Sequence, residues 1–134
     1  MKITGGCHCE RITYEAEIDP GTAFLCHCDD CQIMSGTAYR TVVRIPESDF
    51  VLKSGTLKVY VKTSESGRRR AMNFCGDCGT HIYATSVGDG EKAFGLRLGT
   101  VDQRRDLRPS SQWWHRSALD WVGDVETLPA HETQ

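Results

Sequence analysis

Arg11-Ile12-Thr13-Tyr14-Glu15-Ala16-Glu17-Ile18 alternates polar and apolar residues and puts Ile12, Tyr14, Ala16 and Ile18 on one face. A period of two marks a half-buried strand, because successive side chains of an extended backbone point to opposite sides. Asp19-Pro20-Gly21 ends it in a turn. Thr22 to Cys26 reads as another short strand, Tyr39 to Pro46 as a strand on its β-branched residues, and Ala93 to Leu98 as a strand in which Phe94, Leu96 and Leu98 alternate. Phe50-Val51-Leu52-Lys53 and Leu57-Lys58-Val59-Tyr60-Val61 flank Ser54-Gly55-Thr56 and read as two strands joined by a short turn. Thr80 to Thr85 leaves Cys75 as a hairpin arm, and Gln112-Trp113-Trp114-His115 reads as a short aromatic strand. Helical signals are brief: a turn through Gln32-Ile33-Met34, capped by Asp29 or Asp30 and stopped by Ser35-Gly36, and another at Ser117 to Trp121. The expected fold class is mainly β, with packed antiparallel sheets, in one domain over residues 1–127 and a frayed tail over 128–134.

Cysteines flank that first strand on both sides. Cys7 and Cys9 precede it, Cys26, Cys28 and Cys31 follow it, and Cys75 and Cys78 complete a set of seven. An odd number in tight clusters fits metal ligation better than a disulfide framework. Thiolates are soft ligands, and Zn2+ suits them. In Cys75-Gly76-Asp77-Cys78-Gly79 the chain turns so that both sulfurs meet, and the glycines let backbone N–H groups point at them. Cys7-His8-Cys9 on extended backbone presents both sulfurs on one face, and Gly5-Gly6 lets the chain bend. Two pairs make one closed four-cysteine site, structural in kind, that clips the N-terminus to the middle of the chain. The trio Cys26, Cys28 and Cys31 then has no fourth cysteine, and an open position on a metal is the catalytic arrangement. A different partition, with one trio thiolate entering the first site, would split nearest neighbours, so locality favours four plus three. His8 and His27 should point away from their flanking cysteines and are read as outer or solvated rather than as ligands.

The charge balance, 16 basic against 18 acidic residues with net −2, makes no case for nucleic acid or an anionic membrane. No apolar run is long enough to span a bilayer, and Met1-Lys2-Ile3-Thr4-Gly5-Gly6 does not open a secretory leader, so the chain is read as cytoplasmic. Around the trio, Asp29 and Asp30 are weighed as general bases against capping or solvated roles, with the latter favoured. Arg40 and Arg44, evenly spaced on one strand, are the better anion-binding candidates, and Arg68-Arg69-Arg70 reads as a solvated loop. Trp113 and Trp114 should face opposite ways, one into the core and one towards a pocket. Tyr39 and Phe74 read as packing, and His81 as a hairpin surface residue.

Gly5-Gly6-Cys7-His8-Cys9, Cys26-His27-Cys28-Asp29-Asp30-Cys31 with Ser35-Gly36, and Phe74-Cys75-Gly76-Asp77-Cys78-Gly79-Thr80 together resemble the glutathione-dependent formaldehyde-activating enzyme family, a centromere-protein-V/GFA-type domain. Leu98-Gly99-Thr100-Val101-Asp102 and the Trp114 to Trp121 segment carry the likeness further. The resemblance implies the β-tent fold, also seen in methionine sulfoxide reductase B. It implies two zinc sites: a structural one on Cys7, Cys9, Cys75 and Cys78, and a labile, catalytic one on Cys26, Cys28 and Cys31. It implies a carbon–sulfur lyase acting on a thiol such as glutathione and a small aldehyde such as formaldehyde. Gln112 and Asp120 stand where the family is expected to have histidine and proline. The competing class is a non-catalytic zinc-stabilised scaffold or partner-binding module, which needs only the closed site.

Overall fold

The computed structural model describes residues 1–134. Strand β1 (Lys2–Gly6) runs antiparallel to β2 (Thr13–Glu17), which also pairs with β5 (Phe50–Ser54), giving a three-stranded sheet. Ile12, Tyr14, Ala16 and Ile18 are all buried, as the alternation requires. The second sheet has seven strands. They are β3 (Ala23–Cys26), β4 (Arg40–Pro46), β6 (Leu57–Thr63), β7 (Arg69–Cys75), β8 (His81–Ser86), β9 (Ala93–Arg97) and β10 (Ser111–Trp113). Their order across the sheet is β10-β3-β4-β9-β8-β7-β6. The one α-helix, α1 (Asp29–Ser35), ends at Gly36, whose φ of 66° supplies the left-handed cap. No helix is long and apolar enough to cross a membrane.

Inward-facing residues of the two sheets share one core. Ile3, Tyr14 and Ala16 from the small sheet join Val43, Ile45, Ile82, Phe94 and Leu96 from the large one. Tyr83 stacks on Phe94 with ring centroids 4.0 Å apart, and Phe50 meets Tyr14, Tyr83 and Phe94 at 5.1, 5.2 and 5.5 Å. Cys7 and Cys75 belong to the same buried cluster, so the pairs expected to clip the chain sit against its core.

Two local expectations are corrected, those for strand direction and for the tryptophans. β5 and β6 are joined by a short turn, as expected, but they do not pair with each other: β5 pairs with β2, whereas β6 pairs with β7. The chain crosses between sheets at Gly55, where φ is +81° and a Cβ would lie 2.5 Å from the carbonyl oxygen of Arg11. β10 pairs with β3 in parallel, so the large sheet is not wholly antiparallel. Neither Trp113 nor Trp114 enters the core. β10 is an edge strand in which Trp113 stays half exposed over Phe24, and the strand ends at Trp114, whose φ is +55°.

The face of β4 turned away from the core positions the site. Val43 and Ile45 point inward, so Arg40, Val42 and Arg44 point out. Cys26 lies opposite Arg40 in register, and Arg97 lies opposite Val42. Residues directly opposite one another share a face. Cys26, Arg40 and Arg97 are therefore placed together by the pairing of three strands.

Candidate metal centre

The structure gathers the cysteines into two groups. The sulfurs of Cys7, Cys9, Cys75 and Cys78 all lie within 4.8 Å of one another, and so do those of Cys26, Cys28 and Cys31. No histidine or carboxylate joins either group.

The four-sulfur group is assembled from the turn that follows β1, where Cys7-His8-Cys9 is turned and not extended as expected, and from the turn between β7 and β8. Cys7 and Cys9 are 3.5 Å apart, and Cys9 and Cys75 are 3.7 Å apart. Zn–S bonds of about 2.3 Å in a tetrahedron require sulfurs somewhat under 4 Å apart, so this donor set fits zinc. Ile12 donates its N–H to Cys7 Sγ at 3.2 Å, and Thr80 Oγ1 lies 3.2 Å from Cys78 Sγ. The Thr80 hydroxyl and amide pull the Cys78 thiol down to about 5. Donors aimed at sulfur stabilise its thiolate and fix its direction. Gly79, at φ +77°, turns the knuckle.

The three-sulfur group runs from the end of β3 into α1. Cys28 is the N-cap residue of the helix, and its Sγ accepts the N–H of Cys31 at 3.3 Å. The expected caps, Asp29 and Asp30, sit instead in the first turn, where carboxylates complement the helix dipole. Asp30 is held by Lys62 of β6 at 2.6 Å, and neither carboxylate joins the sulfur group. Cys26 and Cys31 donate to Cys28 and hold its thiol far below the usual range, while Cys31 is pushed well above it. Three sulfurs this close cannot all ionise on their own charge, and a soft divalent cation is what lets them do so together. All three are partly exposed; in the four-sulfur group Cys7 and Cys75 are buried and Cys9 and Cys78 are exposed.

His27 points away from the trio, but into protein rather than solvent. It is fully buried, its Nε2 lies 2.8 Å from Gln112 Oε1, and its ring meets Tyr39 and His115 edge-on. Gln112, the departure from the family pattern, thus backs the loop between Cys26 and Cys28. Asp120 begins a turn of 3-10 helix and is exposed.

An open cleft of about 320 Å3 lies on the sheet face that carries Cys26 and Arg40. Its wall includes Met34 and Ser35 of α1, Arg40, Arg97, His81, and Gly79 and Thr80 of the four-cysteine knuckle. None of the trio cysteines belongs to this lining. Arg40, expected from strand spacing, is there; Arg44 is exposed in a different groove beside Pro46 and Lys92. Arg68 and Arg69 are exposed, and Arg70 is half-buried in β7. Sequence reasoning missed Arg97 and assigned His81 to the surface. His81 is half-buried, stacks on Phe74 with centroids 5.6 Å apart, and is pulled down to about 4 by burial and by the charges of Arg40 and Arg97. Their only sequence signal was an inward-outward alternation around Leu96 and Ile82, which does not reveal what lies across the strand.

No curated protein matches this sequence. A crystal structure of a Rhodobacter sphaeroides protein is similar in fold, with a TM-score of 0.63 at 21% identity, covering 81% of this chain and 98% of that one. The family model described as glutathione-dependent formaldehyde-activating enzyme matches residues 2–117. That span takes in both sulfur groups and every strand that places them, and the chain belongs to the glutathione-dependent formaldehyde-activating enzyme family.

Proposed function

We propose that this chain is a zinc-dependent carbon–sulfur lyase-type enzyme that acts on a thiol–aldehyde adduct, joining a small-molecule thiol such as glutathione to a small aldehyde such as formaldehyde. The observation that carries this reading is the pairing of a complete four-sulfur group with a three-sulfur group that has no fourth protein donor and is partly exposed, on the sheet face that carries the cleft-lining Arg40 and Arg97. A scaffold needs only the first. Cys7, Cys9, Cys75 and Cys78 would hold a structural zinc, and Cys26, Cys28 and Cys31 a catalytic one. A zinc held by three thiolates is electron-rich, favours a soft fourth ligand over hydroxide, and when bound would lower the pKa of an incoming thiol.

The chain's own residues supply position. The N-terminus of α1 and the Cys31 N–H orient Cys28, the Lys62–Asp30 pair holds that first turn against β6, and the contact of buried His27 with Gln112 backs the loop. In the synthetic direction the thiol sulfur forms a bond to the aldehyde carbon, the carbonyl π bond opens, and the proton lost from sulfur ends on the oxygen; nothing is oxidised or reduced. Holding the two reactants together supplies much of the acceleration. We read the site as that of a single cytoplasmic domain over residues 1–127, with all seven cysteines free of disulfides.

Cobalt substitution tests the reading. With both sites loaded with Co2+, glutathione should shift the cobalt–thiolate charge-transfer bands of the wild type and leave those of Cys28→Ala unchanged. No spectral change with glutathione or any small thiol, on protein whose trio is demonstrably filled, would remove thiol activation and favour the scaffold.

A further inference from the structure

Arg40 and Arg97 are buried to an extent that guanidinium groups rarely reach, at 5% and 8% exposed. Nε and Nη2 of Arg40 and Nε of Arg97 are buried without any hydrogen-bond partner. An arginine cannot escape this by losing its proton, so a buried guanidinium with idle donors is costly unless an anion meets it. The ion pairs of the chain engage the N-terminus, Arg11, Lys53, Lys62 and Arg116, and none supplies a carboxylate to either residue.

The strand pairing makes the arrangement worse for an empty site. Arg97 lies opposite Val42, and Arg40 is two residues along the same strand, so the two cations are diagonal neighbours on one face. Such positions are about 7–8 Å apart at the backbone, within mutual reach of long side chains. Burial and then the charge of Arg40 pull the Arg97 pKa down, as expected of like charges held together. Both side chains line the cleft, and its lining holds no aspartate or glutamate. His81, on the same wall, adds a buried Nδ1 that also lacks a partner.

The structure assigns Arg40 and Arg97 as a recessed anion subsite that takes a carboxylate of the thiol substrate. The bearer of that carboxylate rests on the thiol reading above; the anion site does not. Cys26 lies directly opposite Arg40 in register, and Cys31 and Cys26 act on Arg97 through space. None of the idle N–H groups reaches a sulfur, however, so the thiolates do not satisfy them. That proximity also places the subsite and the trio within the span of one small substrate, sulfur at one end and carboxylate at the other. Negative charge already present at the trio favours a monoanion over a phosphate dianion. The planar guanidinium fork suits a carboxylate in bidentate fashion.

The test separates the two readings by using ligands that have only one of the two groups. S-methylglutathione keeps the carboxylates and cannot give a thiolate; glutathione diethyl ester keeps the thiol and blocks the carboxylates; β-mercaptoethanol is a thiol alone. By calorimetry on the zinc-loaded full chain, S-methylglutathione should bind, and Arg40→Gln or Arg97→Gln should weaken it at least tenfold. The diester should bind at least tenfold more weakly than glutathione. Arg97→Met guards against misfolding as an explanation: its melting temperature should stay level or rise without ligand, while S-methylglutathione affinity falls. Equal affinity for S-methylglutathione in wild type and both glutamine variants would overturn the subsite, even with cobalt bands that respond to β-mercaptoethanol. Arginine-dependent binding of S-methylglutathione with no thiol moving those bands would uphold the subsite and remove thiol activation. Inorganic phosphate displacing S-methylglutathione at lower concentration than acetate would overturn the carboxylate assignment.

Discussion

Cys75→Ala and Cys28→Ala each remove one sulfur, yet the structure assigns them very different consequences. Cys75 is 1% exposed, belongs to the core cluster, and through Cys9 joins segments 66 residues apart. Releasing a cross-link that closes a loop of that length costs about 4 kcal/mol in chain entropy. The small cavity left in the core adds roughly 1 kcal/mol. A domain of this kind has only about 5–15 kcal/mol of net stability, so Cys75→Ala should unfold or lose some 15–25 °C of melting temperature. Cys28 belongs to a cluster that closes only a few residues. Its loss removes one helix-capping acceptor, about 1 kcal/mol, and the melting temperature should fall by roughly 3–5 °C. Circular-dichroism melts with zinc analysis of the same samples check both: Cys28→Ala should stay folded with about one zinc in place of two. Equal destabilisation of the two variants, or a stable Cys75→Ala that keeps two zinc ions, would refute the division into a structural and an open site.

Gly55→Ala should cost about 1–3 kcal/mol in urea melts, because its left-handed φ and the Arg11 carbonyl 2.5 Å from the new Cβ act together. Gly67→Ala shares the positive φ but meets nothing within 4 Å, so it should cost less; equal losses would mean the sheet crossing is not sterically tight. His81 has a folded pKa pulled from 6.5 to about 4, so the unfolded chain takes up its proton first as pH falls. Its contribution to stability is complete above about pH 6.5, declines through the window down to pH 4, and is constant below it. The pH dependence of melting between those limits should therefore be shallower in His81→Gln than in the wild type, and an unchanged slope would show that burial does not depress the ring.

What could be read from the chain alone was whatever is settled within a few residues. The strand around Tyr14 was legible because alternation is a local property, and all four of its apolar residues are buried. The two cysteine groups were legible for the same reason: spacings of two and three residues bring sulfurs together whether the backbone is extended or turned, and the structure gathers Cys7 with Cys9, Cys75 with Cys78, and Cys26 with Cys28 and Cys31. The helix cap failed by one residue, because a cysteine sulfur took the amide that an aspartate was expected to take. Everything that depends on which strand lies beside which was beyond local reasoning. Phe50 to Lys53 and Leu57 to Val61 read as strands joined by a short turn, and so they are, but the packing of Phe50 against Tyr14 goes with β5 pairing in the small sheet while β6 pairs in the large one. Arg97 carried no sequence signal of its own. It becomes part of a cationic cleft because β9 pairs with β4 in the register that sets it opposite Val42, diagonal to Arg40, on the face that also receives Cys26. Side-chain period names the two faces of a strand; only long-range pairing, driven by burial of the other face, decides which cations share one of them with the sulfurs.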